Sequence, residues 1–109
     1  MAEPVAHPLL QIRTEPGVVR LQGDLLCAAI EPLKEMSLPM PEGQGAGSRL
    51  EIALGQITAM DTAGLAFLIG WQVEAAAQSV TLRYTHPPKA MRAMVQVYGL
   101  DDWMILEGV

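Results

Sequence analysis

The sequence predicts an α/β domain in which about three helices pack on a single layer of mixed β-sheet with four or five strands. Strand-like alternation and helix-like periodicity follow each other along the chain, and helices that alternate with strands usually cover a sheet. Half of the 109 residues are hydrophobic, which is enough for one core. We therefore expect a single domain over residues 1–109.

The first part of the chain predicts a β-hairpin. Leu10 and Ile12 alternate with polar residues, as in a strand with one buried face. Pro16 and Gly17 favour a tight turn, because proline fixes φ and glycine accepts a positive φ. Residues 18–21 are then expected to form the returning strand.

A short helix and a long loop are predicted next. Asp24 is a suitable N-cap for a helix, and Pro32 should kink or shorten that helix because proline lacks a backbone N–H. Residues 37–49 are rich in glycine and proline, which predicts a flexible loop. No Gly-Lys-Ser or Gly-Lys-Thr sequence follows it, so the pattern is not that of a phosphate-binding loop.

The second half of the chain carries clearer signals. Two alternating apolar runs predict strands, and two stretches with helical periodicity predict helices. The strands are expected at residues 50–54 and 80–84, one helix from Asp61 to about Gln78, and another between Pro87-Pro88 and Gly99. Residues 103–106 predict either a last edge strand or a packed tail.

Charge and composition exclude several function classes. Asp and Glu number 12 against 7 Lys and Arg, a net charge of −5, which disfavours nucleic-acid binding because phosphates would be repelled. The single cysteine, Cys27, and the histidines His7 and His86 form no closely spaced metal-ligand pattern. No apolar run is long enough to span a membrane, and no basic leader is visible. We expect a cytoplasmic protein without a metal, a cofactor or direct membrane insertion.

The helix that begins at Asp61 has a pattern beyond what a core requires. At about 100° per residue, the residues predicted to face the sheet are Leu65, Leu68, Ile69, Val73 and Ala76. Phe67 and Trp71 then lie on the opposite side, where two aromatic residues one turn apart are typical of a protein-binding face. Alternatively, both aromatic residues lie beneath the loop of residues 37–49 or the C-terminal tail as part of the core.

The start of this helix also has a purely structural interpretation. The Thr62 hydroxyl can accept a hydrogen bond from a free backbone N–H, and the Asp61 carboxylate is favourable at the positive end of the helix dipole. Helix capping alone would explain both residues.

Four segments of the chain together resemble the STAS domain family. They are GDLLCAAIEPLKEM, LEIALGQ, ITAMDTAGLAFLI and YGLDDWMIL, and the resemblance extends from about residue 9 to residue 106. Its most specific part is Asp61-Thr62-Ala63-Gly64-Leu65, which is similar to the Asp-Ser/Thr-x-Gly-Leu signature of that family. Within the family, MDTAGLA and EPLKEM look closest to the MlaB type, an accessory subunit of the phospholipid-transporting ABC complex.

The resemblance implies a site and a class of partner. It places the partner-binding residues at the start of the helix, and together with the aromatic pair these are Asp61, Thr62, Ala63, Gly64, Phe67 and Trp71. The family's regulatory hydroxyl corresponds to Thr62, which is phosphorylated in sigma-factor regulators and lies in the ATPase interface in the transporter type. The family often has an acidic residue where this chain has Leu26, which makes an interface a firmer expectation than a phosphorylation switch.

Three functions follow as hypotheses. The first is a docking subunit that binds the ATPase of a phospholipid-transporting ABC complex, and the second is an anti-sigma factor antagonist that binds a nucleotide-binding kinase and is regulated at Thr62. The third is an enzyme that uses Cys27 with His7 or His86. We expect no catalysis, because Cys27 lies among apolar residues where an inert buried thiol is usual. The sequence leaves open whether the chain forms a homodimer.

Overall fold

A computed structural model describes residues 5–6 and 9–108. Among these residues there are six strands, three α-helices and one 3₁₀ turn. In chain order they are β1 (Val5–Ala6), β2 (Leu10–Glu15), β3 (Val18–Leu25), α1 (Cys27–Ile30), the 3₁₀ turn (Glu31–Leu33), β4 (Arg49–Met60), α2 (Thr62–Ala77), β5 (Thr81–Thr85), α3 (Lys89–Val97) and β6 (Ile105–Glu107).

The strands form one mixed sheet in sequential order, from β1 at one edge to β6 at the other. The pairs β1–β2 and β2–β3 are antiparallel, whereas β3–β4, β4–β5 and β5–β6 are parallel. A hairpin followed by strand–helix–strand units produces this mixture, because parallel neighbours need a crossover. The predicted α/β class with a mixed sheet is confirmed: five strands of three or more residues form it, and two-residue β1 extends one edge.

The hairpin forms as predicted, but the first helix begins later than expected. Gly17 occupies the turn with a φ of 75°. Strand β3 continues to Leu25, so Asp24 lies in a strand and is not a helix cap; its carboxylate accepts a hydrogen bond from Thr58 Oγ1 at 2.8 Å. Helix α1 has only four residues, and Pro32 follows it in the 3₁₀ turn. The expectation that Pro32 limits this helix is confirmed.

Strand β4 is much longer than the predicted residues 50–54. It runs to Met60 because its second half pairs with β3 as far as the Leu25–Met60 pair, whereas β5 pairs only with residues 49–53. Local alternation fades after Leu54, so these long-range hydrogen bonds define the strand. Residues 37–48 contain neither helix nor strand, as the predicted loop requires.

The core lies on one face of the sheet. Alternate strand residues such as Leu10, Ile12, Leu50 and Ile52 are buried there, and residues of all three helices join the same cluster. The neighbouring strand residues face the other side and are largely polar. At the C-terminus, β6 is an edge strand, with Met104 buried just before it. No helix in the described part of the chain is long and apolar enough to cross a membrane.

Candidate protein-docking face

Asp61 joins the N-terminal ends of two helices. Its Oδ1 accepts a hydrogen bond from Gly64 N in the first turn of α2, and its Oδ2 accepts one from Cys27 N, the first residue of α1, each at 3.0 Å. Its own N–H donates to Leu25 O at 3.2 Å. The first turn of any helix contains backbone N–H groups that have no partner within the helix. The Asp61 carboxylate accepts a hydrogen bond from one such N–H group in α1 and from one in α2.

This arrangement affects the ionisation of Asp61. The N–H of Cys27 lowers the pKa of the Asp61 carboxyl below its usual value, and the N–H groups at the start of α2 act in the same direction. Hydrogen bonds to the charged form stabilise it, which outweighs the opposing effect of partial burial. Asp61 is therefore a structural carboxylate, turned toward its own backbone.

The expected capping role of Thr62 is wrong. Asp61 is the N-cap and Thr62 is the first helical residue, with an exposed side chain whose hydroxyl makes no hydrogen bond within the described residues. The hydroxyl is free for a partner or for modification. Ala63 beside it is half-exposed.

Gly64 is needed for packing. A Cβ atom on Gly64 would lie 2.1 Å from Leu25 O and 2.8 Å from Leu25 Cβ. The first turn of α2 approaches the end of β3 so closely that only glycine fits. Gly64 is buried in this contact, so its predicted place among residues that touch a partner is corrected.

The predicted aromatic anchors are also buried. Phe67 is 7% exposed and Trp71 is 1% exposed, and their rings pack against each other with centroids 4.9 Å apart. The alternative interpretation, that they belong to the core, is the correct one. Conversely, Val73, which was predicted to face the sheet, is 55% exposed.

The loop before β4 explains why α2 is buried on the side that carries Phe67 and Trp71. Leu38 of this loop is buried in the core cluster, and its N–H donates to the carboxylate of Glu74. Glu74 is the only charged residue of α2. It lies two turns after Phe67 on the same side of the helix, so its bond to Leu38 fixes the loop over that side. The sheet and the loop together bury a broad surface of α2.

On its other side, α2 is tied to the C-terminal segment. Gln72 accepts a hydrogen bond from the Tyr84 hydroxyl at 2.7 Å and donates to Trp103 O at 2.8 Å. Burial raises the pKa of Tyr84 well above its usual value, so the phenol stays a donor. This chain of bonds fixes the turn that carries Trp103 beside α2.

What remains free is a continuous stripe along α2, which we call the α2 face. Its members are exposed or half-exposed, small or apolar, and uncharged: Thr62, Ala66, Ile69, Gly70, Val73, Ala76 and Ala77. A Cβ atom on Gly70 would meet nothing within 4 Å, so another molecule can approach the helix backbone there. The spacing of Ala66, Gly70, Val73 and Ala77 was a signal for this face, since it repeats once per turn.

The sequence expectation for Cys27 is wrong in one respect. Cys27 is exposed at the start of α1, since the buried residues of this four-residue helix are Ala29 and Ile30. His7 lies outside the described residues, and His86 follows β5. Within the described ranges, no three His, Cys, Asp or Glu side chains lie close enough together to hold a metal ion.

Comparison with known protein families identifies a family for this chain. A family model described as "Mlab, STAS domain" matches residues 9–107, nearly the whole chain. No curated protein matches the sequence.

Proposed function

The chain belongs to the MlaB-type STAS domain family, and from this premise we propose that it docks through the α2 face onto the ATPase of a phospholipid-transporting ABC complex in the cytoplasm. STAS domains are generally interaction or regulatory modules rather than enzymes. The matched region contains the whole of α2 and the elements that position it. Docking is the activity that the site supports best.

One observation carries the proposal: the α2 face is uncharged over its whole length in a chain with a net charge of −5. Charged residues normally populate the solvent side of a surface helix. The only charged side chain of α2, that of Glu74, accepts a hydrogen bond from Leu38 N within the domain. Small side chains around Gly70 allow close backbone approach, and Ile69 and Val73 supply apolar area that a partner would bury.

Gly70→Lys is the sharpest test of this face. The new side chain enters open space, and glycine is the poorest helix former apart from proline, so the helix should gain about 0.5–1 kcal/mol. At an interface the same chain introduces bulk and an unpaired charge, and binding of the ABC ATPase should weaken at least about tenfold, or ~1.4 kcal/mol. Stability and binding thus change in opposite directions.

The measurement is a thermal melt together with a titration against the purified ATPase. Gly45→Lys is the matched control, because Gly45 is exposed in the loop and its Cβ would also meet nothing within 4 Å. Wild-type affinity for Gly70→Lys would contradict docking at this face. Absence of any ATPase binding by the wild-type chain would contradict the partner.

A second candidate function is supported by the free hydroxyl of Thr62. An anti-sigma factor antagonist would bind a nucleotide-binding kinase at the same helix end and be switched off by phosphorylation of Thr62. A phosphate of about −1.5 to −2 charge is compatible with a helix N-terminus but would lie beside the Asp61 carboxylate and crowd a partner. Mass spectrometry of the chain after incubation with its kinase and ATP should then find phosphate on Thr62, and an unmodified threonine would argue for the transporter role.

A further inference from the structure

The open face of the sheet, opposite the core, contains a cavity that docking through α2 does not use. Its volume is about 390 Å³, within the range of small-molecule sites. The polar residues that line it come from β3, from β4 and from the end of β5: Arg20, Glu51, Gln56, Thr85 and His86.

The cavity exists because the central strand has almost no side chains at this point. Ala53 and Gly55 form its floor, and in the strand register Ala53 lies between Arg20 on β3 and Thr85 on β5. A Cβ on Gly55 would come no nearer than 3.4 Å to His86 Cβ, so packing does not demand glycine there. Glycine inside a strand often marks a place where a ligand approaches the backbone closely.

The walls are held in place by the fold. Thr85 is only 8% exposed, and its hydroxyl donates to Glu51 Oε2 at 2.6 Å. His86 adopts a φ of 51°, uncommon for a residue other than glycine, and its N–H donates to Glu107 O at 2.8 Å. Backbone conformations of this kind gather at functional sites.

Two opposite charges border the cavity without neutralising each other. Arg20 pairs with Glu15 at 2.8 Å, and no ion pair joins Arg20 to Glu51 in the part of the chain that the structure describes. The Arg20–Glu15 pair is solvent-exposed and therefore weak, so the guanidinium can turn to a ligand at little cost. Glu51 Oε1 is left as an acceptor beyond the bond from Thr85.

We propose that this cavity binds a compact zwitterion, whose carboxylate or phosphate contacts Arg20 and whose ammonium group contacts Glu51. Ala53 pairs with Arg20 on the neighbouring strand, and Glu51 lies two residues before Ala53 on β4, so the Cα atoms of Arg20 and Glu51 are roughly 8 Å apart. That separation accommodates a linear molecule of a few atoms with charged groups at its ends. The site lies on the opposite face from α2 and does not depend on the docking function.

The test is a titration of the ¹⁵N-labelled chain followed by NMR. The probes are γ-aminobutyrate and aminopropylphosphonate, which differ in the anionic group, and butyrate and butylamine, which each keep one charge. A zwitterion should shift the amide signals of Gly55, Gln56 and His86, and each single-charge analogue should bind at least about tenfold more weakly. The tighter of the two zwitterions identifies the anion that Arg20 prefers.

Variants locate the binding. Arg20→Gln and Glu51→Gln should each weaken binding at least about tenfold, and Gly55→Val should abolish it by filling the floor while the thermal transition stays cooperative. Arg92→Gln on α3 and Glu42→Gln in the loop are matched controls that should bind normally. No shift with either zwitterion, equal binding of butyrate or butylamine, or normal binding by the Arg20 and Glu51 variants would each overturn the proposal.

Discussion

Replacing Asp61 by alanine tests the idea that one carboxylate stabilises the starts of two helices. The substitution removes both acceptors, Oδ1 for Gly64 N and Oδ2 for Cys27 N, each at 3.0 Å. Loss of one N-cap costs typically about 1 kcal/mol, so two such bonds give about 2 kcal/mol. In a domain of this size that corresponds to a fall in Tm of roughly 10 °C.

Asp61→Asn provides a graded comparison. Its one side-chain oxygen can accept from Gly64 N or from Cys27 N but cannot replace both carboxylate oxygens, so about half of the loss is expected. The pKa of Asp61 is lowered in the folded chain, so its stabilising charge is fully present above the unfolded pKa and is lost as pH falls through the folded one. The difference between wild type and Asp61→Asn should be constant from pH 7 to about pH 5 and shrink below about pH 4.

The assay is urea unfolding followed by circular dichroism at pH 7, repeated at acidic pH. Asp102→Ala is the control, since Asp102 lies exposed in the turn before β6 and should change stability by less than about 0.5 kcal/mol. A loss below about 0.5 kcal/mol for Asp61→Ala, or a pH profile for Asp61→Asn that parallels wild type throughout, would refute the double cap.

Three further predictions concern the same helix. Trp71→Ala should destabilise the fold by about 3–5 kcal/mol in urea unfolding, because the side chain is buried. Near-normal stability of this variant would contradict the core position of Trp71 and favour the original prediction of a partner-binding side chain. Gly64→Ala should cost about 2 kcal/mol or more in the same assay because the new Cβ would contact Leu25 O, whereas Gly70→Ala should stabilise the fold slightly. Equal free energies of unfolding for these two variants would contradict the close approach of α2 to β3. Thr62→Glu should keep its Tm but lose at least about tenfold in partner binding by pull-down, while Thr62→Ala binds nearly normally; equal binding by Thr62→Glu and wild type would remove Thr62 from the interface.

Local chemistry was enough to predict the class of fold and the position of its most important helix. Turn residues and alternation located the hairpin, and the signature at Asp61 located the start of α2 to within one residue. These signals act over a few residues, through backbone conformation and capping, and the tertiary structure need not be known to interpret them. The resemblance to the STAS family was inferred from the same local motifs, and the family model that matches residues 9–107 confirms it.

The tertiary structure alone decided which side of α2 is exposed. Fifteen of its 16 residues carry no charge, so periodicity could not separate a core side from a solvent side, and the predicted stripe is wrong by roughly a third of a turn. The outcome depends on contacts between segments far apart in sequence: Leu38 with Glu74, Gln72 with Trp103, and the carboxylate of Asp61 with Cys27. The cavity beside Arg20 has the same origin, because strand register brings its walls together. The sequence by itself determined which elements form, and only long-range packing determined the surfaces that they present.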